Sequence, residues 1–200
     1  MLDFEGFVKS ALALFIIMDP FASLPIFITL TKKYSDQKKL QAALSATVIS
    51  AIVLLAFVLA GPGLMRALAI TMPAFTIAGG LLLLLTAIIS FLGIEFQKPS
   101  KNIDIKIVVI AVPLLTGPGA MTTSVILAAE YGLIPLLCAI AVVVALIFAI
   151  LSLSRQISKL AGENGIEIFS KVFSILLAAI AIEFIKSGTF QIISEWGLIP

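Results

Sequence analysis

An aspartate and several prolines interrupt apolar runs that are long enough to cross a bilayer. Asp19-Pro20 breaks the run at residues 7–30, and Gly117-Pro118 breaks the run at residues 107–129. Proline at the first position of a helix removes only an N–H that has no partner there, so each pair predicts an N-cap and a new half-helix. The free N–H groups and positive dipole end of a half-helix favour a carboxylate or another small anion. The two breaks therefore predict an anion-binding site inside the membrane.

Asp19 is predicted to lie near the membrane midplane, because about 16 Å of helix extends on either side of it at 1.5 Å per residue. A carboxylate at the centre of a bilayer costs at least about 2.5 kcal/mol, so such a residue is a functional candidate by default. The alternative is that both prolines only kink tilted spans and that Asp19 only caps its own helix. We favour a role for Asp19 in binding a substrate or a coupling proton.

The candidate substrate-binding residues surround the two breaks and include a glycine pair in the third apolar run. Hydroxyl groups in membrane helices often bond to their own helix, and glycine pairs often serve helix packing, so both alternatives stay open. The full set is Asp19, Pro20, Phe21, Ala22, Ser23, Gly79, Gly80, Thr116, Gly117, Pro118, Gly119, Ala120, Met121, Thr122 and Thr123.

The composition is that of an integral membrane protein. The 200 residues are 61% hydrophobic and 12% charged, with a mean hydropathy of +1.22, whereas soluble domains are about half apolar and a quarter charged. Six apolar runs, each long enough for a span, cover residues 7–30, 40–59, 72–92, 107–129, 134–153 and 166–185. Any function must therefore lie within the bilayer, which we take to be the cytoplasmic membrane.

The two halves of the chain repeat the same series of runs. Residues 7–93 and residues 104–188 each give a broken span, a plain span and a third span. Because each half has an odd number of spans, the second half must enter from the opposite side of the membrane. The predicted fold is all-α, a single domain of six transmembrane helices in a 3+3 inverted-topology repeat with discontinuous first and fourth helices. Gly61-Pro62-Gly63 and residues 154–165 are predicted to be loops.

The basic residues predict the orientation, since cytoplasmic loops carry the excess of lysine and arginine. Ten of the thirteen lie at residues 32–39, 98–106 and 155–171, which fall on one side of the predicted topology. Lys9, Arg66 and Lys186 remain for the other side. Both termini are therefore expected outside the cell.

Several classes of function are disfavoured. The net charge is only +2 and the basic residues are scattered, so nucleic acid is not the expected partner. Histidine is absent and the single cysteine, Cys138, lies in an apolar run, which excludes His-based catalytic triads and internal disulfides. No metal or cofactor is expected. An intramembrane enzyme would need a second aspartate or a base, and Asp19 is the only aspartate within a predicted span.

The residues at both breaks resemble signatures of the MarC family of integral membrane proteins. An Asp/Asn-Pro-x-Gly-x-x-Pro-x-Phe segment resembles residues 19–27, with Ala22 in place of the usual glycine. A Pro-Leu-x-x-Gly-Pro-Gly-Ala run is matched in full at residues 113–120, and Gly79-Gly80-Leu81 resembles the third span of the family. The resemblance implies six spans, broken first and fourth helices, and a small neutral amino acid such as glycine or alanine as substrate. It also implies that the methyl group of Ala22 could alter substrate choice.

The expected function is secondary transport of small neutral amino acids. The half-helix N-termini would hold the carboxylate, and Asp19 would face the ammonium group or carry a coupling proton. The sequence contains no P-loop, so an ion gradient of protons or sodium, or the gradient of the substrate itself, would drive transport. A channel or an accessory membrane subunit without its own substrate is the main alternative, and an intramembrane enzyme is a weaker one.

Overall fold

The described residues form α-helices joined by short turns. The computed structural model describes residues 3–93 and 115–196, and within these ranges it contains no β-strand. The helices are α1 (Phe4–Met18), α2 (Pro20–Leu30), α3 (Asp36–Ala67), α4 (Met72–Leu92), α5 (Pro118–Tyr131), α6 (Leu133–Ser152) and α7 (Ser154–Glu195).

Local sequence signals begin and end these helices. Ser35 and Thr71 are the N-caps of α3 and α4, and their hydroxyl oxygens accept hydrogen bonds from the backbone N–H groups of Lys38 and Ala74, both at 3.4 Å. Gly93 ends α4 in the left-handed region, with a φ of 67° that glycine adopts without strain. These signals place the ends of the spans that flank the two breaks.

Four helices in the described ranges are long and apolar enough to cross a membrane. They are α3, α4, α6 and the part of α7 after its kink, and the bent pair α1 and α2 makes a fifth candidate. Large hydrophobic side chains such as Leu81 and Leu85 point out of the bundle, as expected for surfaces that face lipid. The other half of the predicted fourth span, residues 107–114, lies outside the described residues. The six-span inverted repeat thus stays a prediction, whereas the all-helical membrane fold is confirmed.

The predicted loop at Gly61-Pro62-Gly63 is wrong, because α3 continues through these residues to Ala67. The chain reverses only at residues 68–71. Sequence reasoning took glycine and proline as helix breakers, but neighbouring helices can compensate for a proline within a membrane helix. A side chain at Gly61 would meet Val125 of α5, with its Cβ 2.9 Å from a methyl carbon, so this glycine permits close packing.

The predicted loop at residues 154–165 is also wrong. The chain is helical from Ser154 onward, and only Gly162, with a φ of 68° and a ψ of 174°, leaves the helical region and kinks α7. After the kink α7 continues to Glu195, ten residues beyond the end of the sixth apolar run at residue 185. The polar and charged side chains of this segment led to the loop prediction. A helix end that lies outside the hydrocarbon core can, however, carry such side chains.

The core of the bundle lies around α5. Every residue of α5 from Gly119 to Leu127 is buried except Met121, which is half-buried. Helices α1, α3, α4 and α6 all pack against it. The half-helix that follows the second break is therefore a central, enclosed element of the fold.

Candidate functional site

The first break is a single residue that both ends one helix and starts the next. Asp19 has a φ of 34° and a ψ of 72°, in the left-handed region that aspartate and asparagine tolerate better than most residues. The chain bends by 43° between α1 and α2. A bend of this size keeps both helices running in the same general direction, as one broken span requires.

The carboxylate of Asp19 is buried and already has partners. Asp19 is only 8% exposed, and its Oδ1 accepts a hydrogen bond of 3.1 Å from the backbone N–H of Ala22. Oδ2 lies 3.5 Å from the hydroxyl of Ser90 near the end of α4, which donates to it. Asp19 is thus an N-cap, as predicted, and its own negative charge sits at the dipole end of α2.

The second break has no such cap. Gly117 is the N-cap residue of α5 in extended conformation, and it carries no side chain that could accept a hydrogen bond. Pro118 follows at the first helical position, and the first hydrogen bond of the helix runs from the N–H of Met121 to the carbonyl of Gly117, at 3.2 Å. The N–H groups of Gly119 and Ala120 precede this bond and cannot reach a carbonyl of their own helix.

The hydroxyl groups near the breaks fall into two classes. Ser23 donates to the carbonyl of Asp19 at 3.2 Å, and Thr122 donates to the carbonyl of Pro118 at 2.7 Å, so both bond to their own helix. The hydroxyls of Thr116 and Thr123 are fully buried and have no hydrogen-bond partner among the described residues. A buried hydroxyl without a partner costs about 1–3 kcal/mol, so these two are the available polar groups at the second break.

The glycine pair of the third apolar run serves helix packing. A side chain at Gly79 would collide with the methyl group of Thr122 on α5. At Gly80 a Cβ would lie 2.8 Å from the carbonyl oxygen of Ala181 on α7. Small residues let membrane helices approach closely. The structure therefore supports the packing alternative for both glycines.

Gly119 also packs against α4. A Cβ at this position would collide with the side chain of Leu83, so the free face of the glycine points at α4. Its backbone N–H remains available, whereas its missing side chain is needed for helix packing.

Phe21 is turned towards α7. Its ring stacks on Phe169 with ring centres 5.4 Å apart and meets Phe173 edge-on at 5.1 Å. Phe15 of α1 also contacts Phe173, at 5.7 Å. Among the candidate residues Phe21 thus holds the broken span against α7, and the neighbouring Ala22 contributes its backbone N–H to Asp19.

Helix α4 relates the two breaks in space. Gly79 and Leu83 meet Thr122 and Gly119, so α4 and α5 run antiparallel. Ser90, which touches Asp19, lies seven residues beyond Leu83 on the same face, a distance of about 10 Å along α4. The carboxylate of Asp19 therefore lies on the side of Gly119 to which the free N–H groups of α5 point.

Sequence reasoning missed Ser90. It follows Gly79 by eleven residues, which is three helical turns, so it falls on the same face of α4 as the contact with α5. The hydroxyl of Ser90 on this face was the feature of the sequence that could have identified it. The other candidates are close to the two breaks by their place in the chain, with Met121 half-buried and Pro20 and Ala120 buried.

Several apolar helices long enough to cross a membrane, with a broken span that holds a buried carboxylate, define a polytopic integral membrane protein. The chain matches the MarC family of integral membrane proteins over residues 4–193. It belongs to that family.

The curated relatives cover nearly the whole chain. A UPF0056 membrane protein from Aquifex aeolicus is 34% identical over 195 residues, 91% of each chain. One from Archaeoglobus fulgidus is 32% identical over 194 residues, again 91% of each. The UPF0056 membrane protein YhcE of Escherichia coli is 27% identical over 199 residues, 93% of each chain. No solved structure matches the chain.

Proposed function

We propose that this protein is a secondary transporter that moves small neutral amino acids such as glycine and alanine across the cytoplasmic membrane. The observation that carries the proposal is the difference between the two breaks. One presents a buried carboxylate at Asp19. The other presents free N–H groups at Gly119 and Ala120 beside the hydroxyl of Thr116, which has no hydrogen-bond partner among the described residues. A negative group facing a set of donors is complementary to a zwitterion.

The enclosure of α5 supports a small substrate. Every residue from Gly119 to Leu127 is buried except Met121, which is half-buried. An amino acid with a small side chain suits these packed surroundings.

The resulting assignment gives each break its own role. The α5 terminus binds the substrate carboxylate, and Asp19 binds the ammonium group. The earlier expectation that both half-helix termini share the carboxylate is less favourable, because Asp19 already caps α2 and would repel a second negative charge. The proposal also includes the six-span inverted repeat, with both termini outside the cell. A proton or a sodium ion would be the coupling ion.

The decisive experiment is uptake of labelled glycine by purified protein in liposomes. We expect saturable uptake that unlabelled alanine inhibits and that a gradient of protons or sodium drives above the equilibrium level. Matched liposomes with the Asp19→Asn variant provide the control for leakage, since that change keeps the capping oxygen. Uptake that rises linearly with concentration would indicate a channel, and no uptake above protein-free liposomes would contradict a transport function.

A further inference from the structure

We infer that Ser50 of α3, which lies outside both broken segments, donates its hydroxyl to the substrate carboxylate at the end of α5. This inference rests on the proposed function, because it names a further binding residue of the same site. The observation behind it is a fully buried hydroxyl on the face of α3 that meets α5, at the level where α5 begins.

The hydroxyl of Ser50 lacks a partner. The residue is 0% exposed, and its Oγ has no hydrogen bond among the described residues. Thr47, one turn earlier on the same buried stripe, instead donates to the carbonyl of Ala43 at 2.9 Å. Serine in a helix usually bonds to a carbonyl of its own preceding turn, so an unsatisfied serine here needs another explanation.

Helical geometry directs Ser50 towards α5. Gly61 of α3 faces Val125 of α5. Ser50 precedes Gly61 by eleven residues, which is three turns to within about 20°, so the two residues share one face. Ser50 therefore points towards the line along which α5 lies.

The level of Ser50 follows from the direction of the helices. Gly61 and Gly79 lie on either side of the turn at residues 68–71, and their partners on α5, Val125 and Thr122, are only three residues apart. The chain thus reverses between α3 and α4, and because α4 is antiparallel to α5, α3 is parallel to α5.

Counting back from the contact between Gly61 and Val125 places Ser50 at the second break. Ser50 is about 16 Å back along α3, whereas α5 extends only about 10 Å back from Val125 to Pro118. Ser50 therefore lies about 6 Å beyond the first residue of α5, near the level of Thr116. The hydroxyl of Thr116 is also fully buried and has no partner in the described part of the chain.

The chemistry of these groups favours an anion. Two unpaired hydroxyls and the free N–H groups of Gly119 and Ala120 can all donate hydrogen bonds. Hydroxyl oxygens could also coordinate a sodium ion, but the positive end of an uncapped helix opposes a cation at the same place. A carboxylate is the ligand that uses every donor.

Ser10 provides a matched control. It is also 0% exposed and also lacks a hydrogen-bond partner among the described residues. It lies one turn after Gly6, where a Cβ would be 2.8 Å from Cβ of Tyr131 at the opposite end of α5. Ser10 thus offers the same buried, unpaired hydroxyl at a distance from both breaks.

The test is the affinity for glycine, measured by calorimetry on detergent-purified parent, Ser50→Ala and Ser10→Ala proteins with matching thermal melting. We expect Ser50→Ala to weaken glycine binding about tenfold, as for the loss of one hydrogen bond to a charged group, and Ser10→Ala to change it less than about twofold. Ser50→Cys, which keeps a weaker donor, should give an intermediate loss and serves as the test variant if Ser50→Ala melts abnormally.

Three results would overturn the inference. Parent-like affinity in the folded Ser50 variants would remove Ser50 from the site and leave the proposed function intact. A loss in Ser50→Ala that disappears at saturating sodium would assign the hydroxyl to a cation. No glycine binding by the parent itself would overturn both this inference and the proposed function.

Discussion

The two breaks differ in what occupies the end of the half-helix that follows. At the first break, Asp19 bends the chain through a left-handed conformation and caps α2 with its own carboxylate. At the second break, Gly117 leaves the start of α5 without a side-chain cap, next to the hydroxyl of Thr116, which has no partner within residues 3–93 and 115–196. Two similar sequence features therefore carry opposite charge character. The comparison suggests that an inverted pair of breaks can hold the two ends of one zwitterion.

The largest expected effect comes from removing the charge at the first break. Asp19→Asn keeps a side-chain oxygen for the N–H of Ala22 and tolerates the left-handed backbone, so the helices should stay in place. We expect glycine affinity to fall at least about 30-fold, because the ammonium group loses a buried ionic partner. Asp36→Asn, on an exposed residue, is the control for a change in net charge. Unchanged affinity in a well-folded Asp19→Asn protein would leave Asp19 as a cap alone.

The second prediction concerns Gly119, where packing and binding can be separated. Gly119→Ala should lower stability by about 1–3 kcal/mol, because its Cβ collides with Leu83. Adding Leu83→Val removes the colliding methyl group and nearly conserves the total volume. Thermal melting should then return towards that of the parent, and glycine affinity should lie within about twofold of it.

A different result would change the role of Gly119. If the double variant recovers its melting temperature but still fails to bind glycine in calorimetry, the added Cβ blocks the ligand. Gly119 would then form the floor of the anion site, and the packing explanation would be insufficient.

The third prediction compares two threonines at the second break. Thr116→Val removes an unpaired, fully buried hydroxyl, whereas Thr122→Val removes one that bonds to the carbonyl of Pro118. Both changes nearly preserve side-chain shape. We expect about a tenfold loss of glycine affinity for Thr116→Val and less than a twofold loss for Thr122→Val. Equal effects of the two substitutions would remove the distinction between available and satisfied hydroxyls.

The smallest effect should come from the link between α4 and the first break. Ser90 donates to Asp19 over a long 3.5 Å, so Ser90→Ala should weaken glycine binding only about two- to threefold. Thr86→Val, on an exposed hydroxyl of the same helix that bonds to the carbonyl of Leu82, is the control. A loss as large as that of Asp19→Asn would make Ser90 a direct ligand.

The sequence was sufficient to predict the breaks because Asp-Pro and Gly-Pro have strong local consequences. Proline at a first helical position acts on its own backbone, so α2 and α5 begin where expected, at Pro20 and Pro118. The same local reasoning failed at Pro62, which lies within α3. There the packing of Gly61 against α5 outweighs the local preference, and a single sequence does not show which helix will be the neighbour.

The side-chain contacts of the candidate residues were less predictable than their places in the chain. Gly79 and Gly80 contact other helices, and Phe21 packs on α7, because side-chain direction depends on tertiary packing. Ser50 and Ser90 escaped prediction since a lone serine in an apolar helix is usually satisfied by its own backbone. Only the contacts between helices show which neighbouring helix each of these two serines faces.

The central claim, that one break holds the carboxylate and the other the ammonium group of a single ligand, is tested most directly by a ligand series on the parent protein. Calorimetry would compare glycine with acetate, which lacks the ammonium group, and with methylamine, which lacks the carboxylate. The two-ended site predicts that glycine binds at least about 30-fold more tightly than either fragment. Acetate binding as tightly as glycine would contradict the account, since it would show that the first break takes no part in recognition.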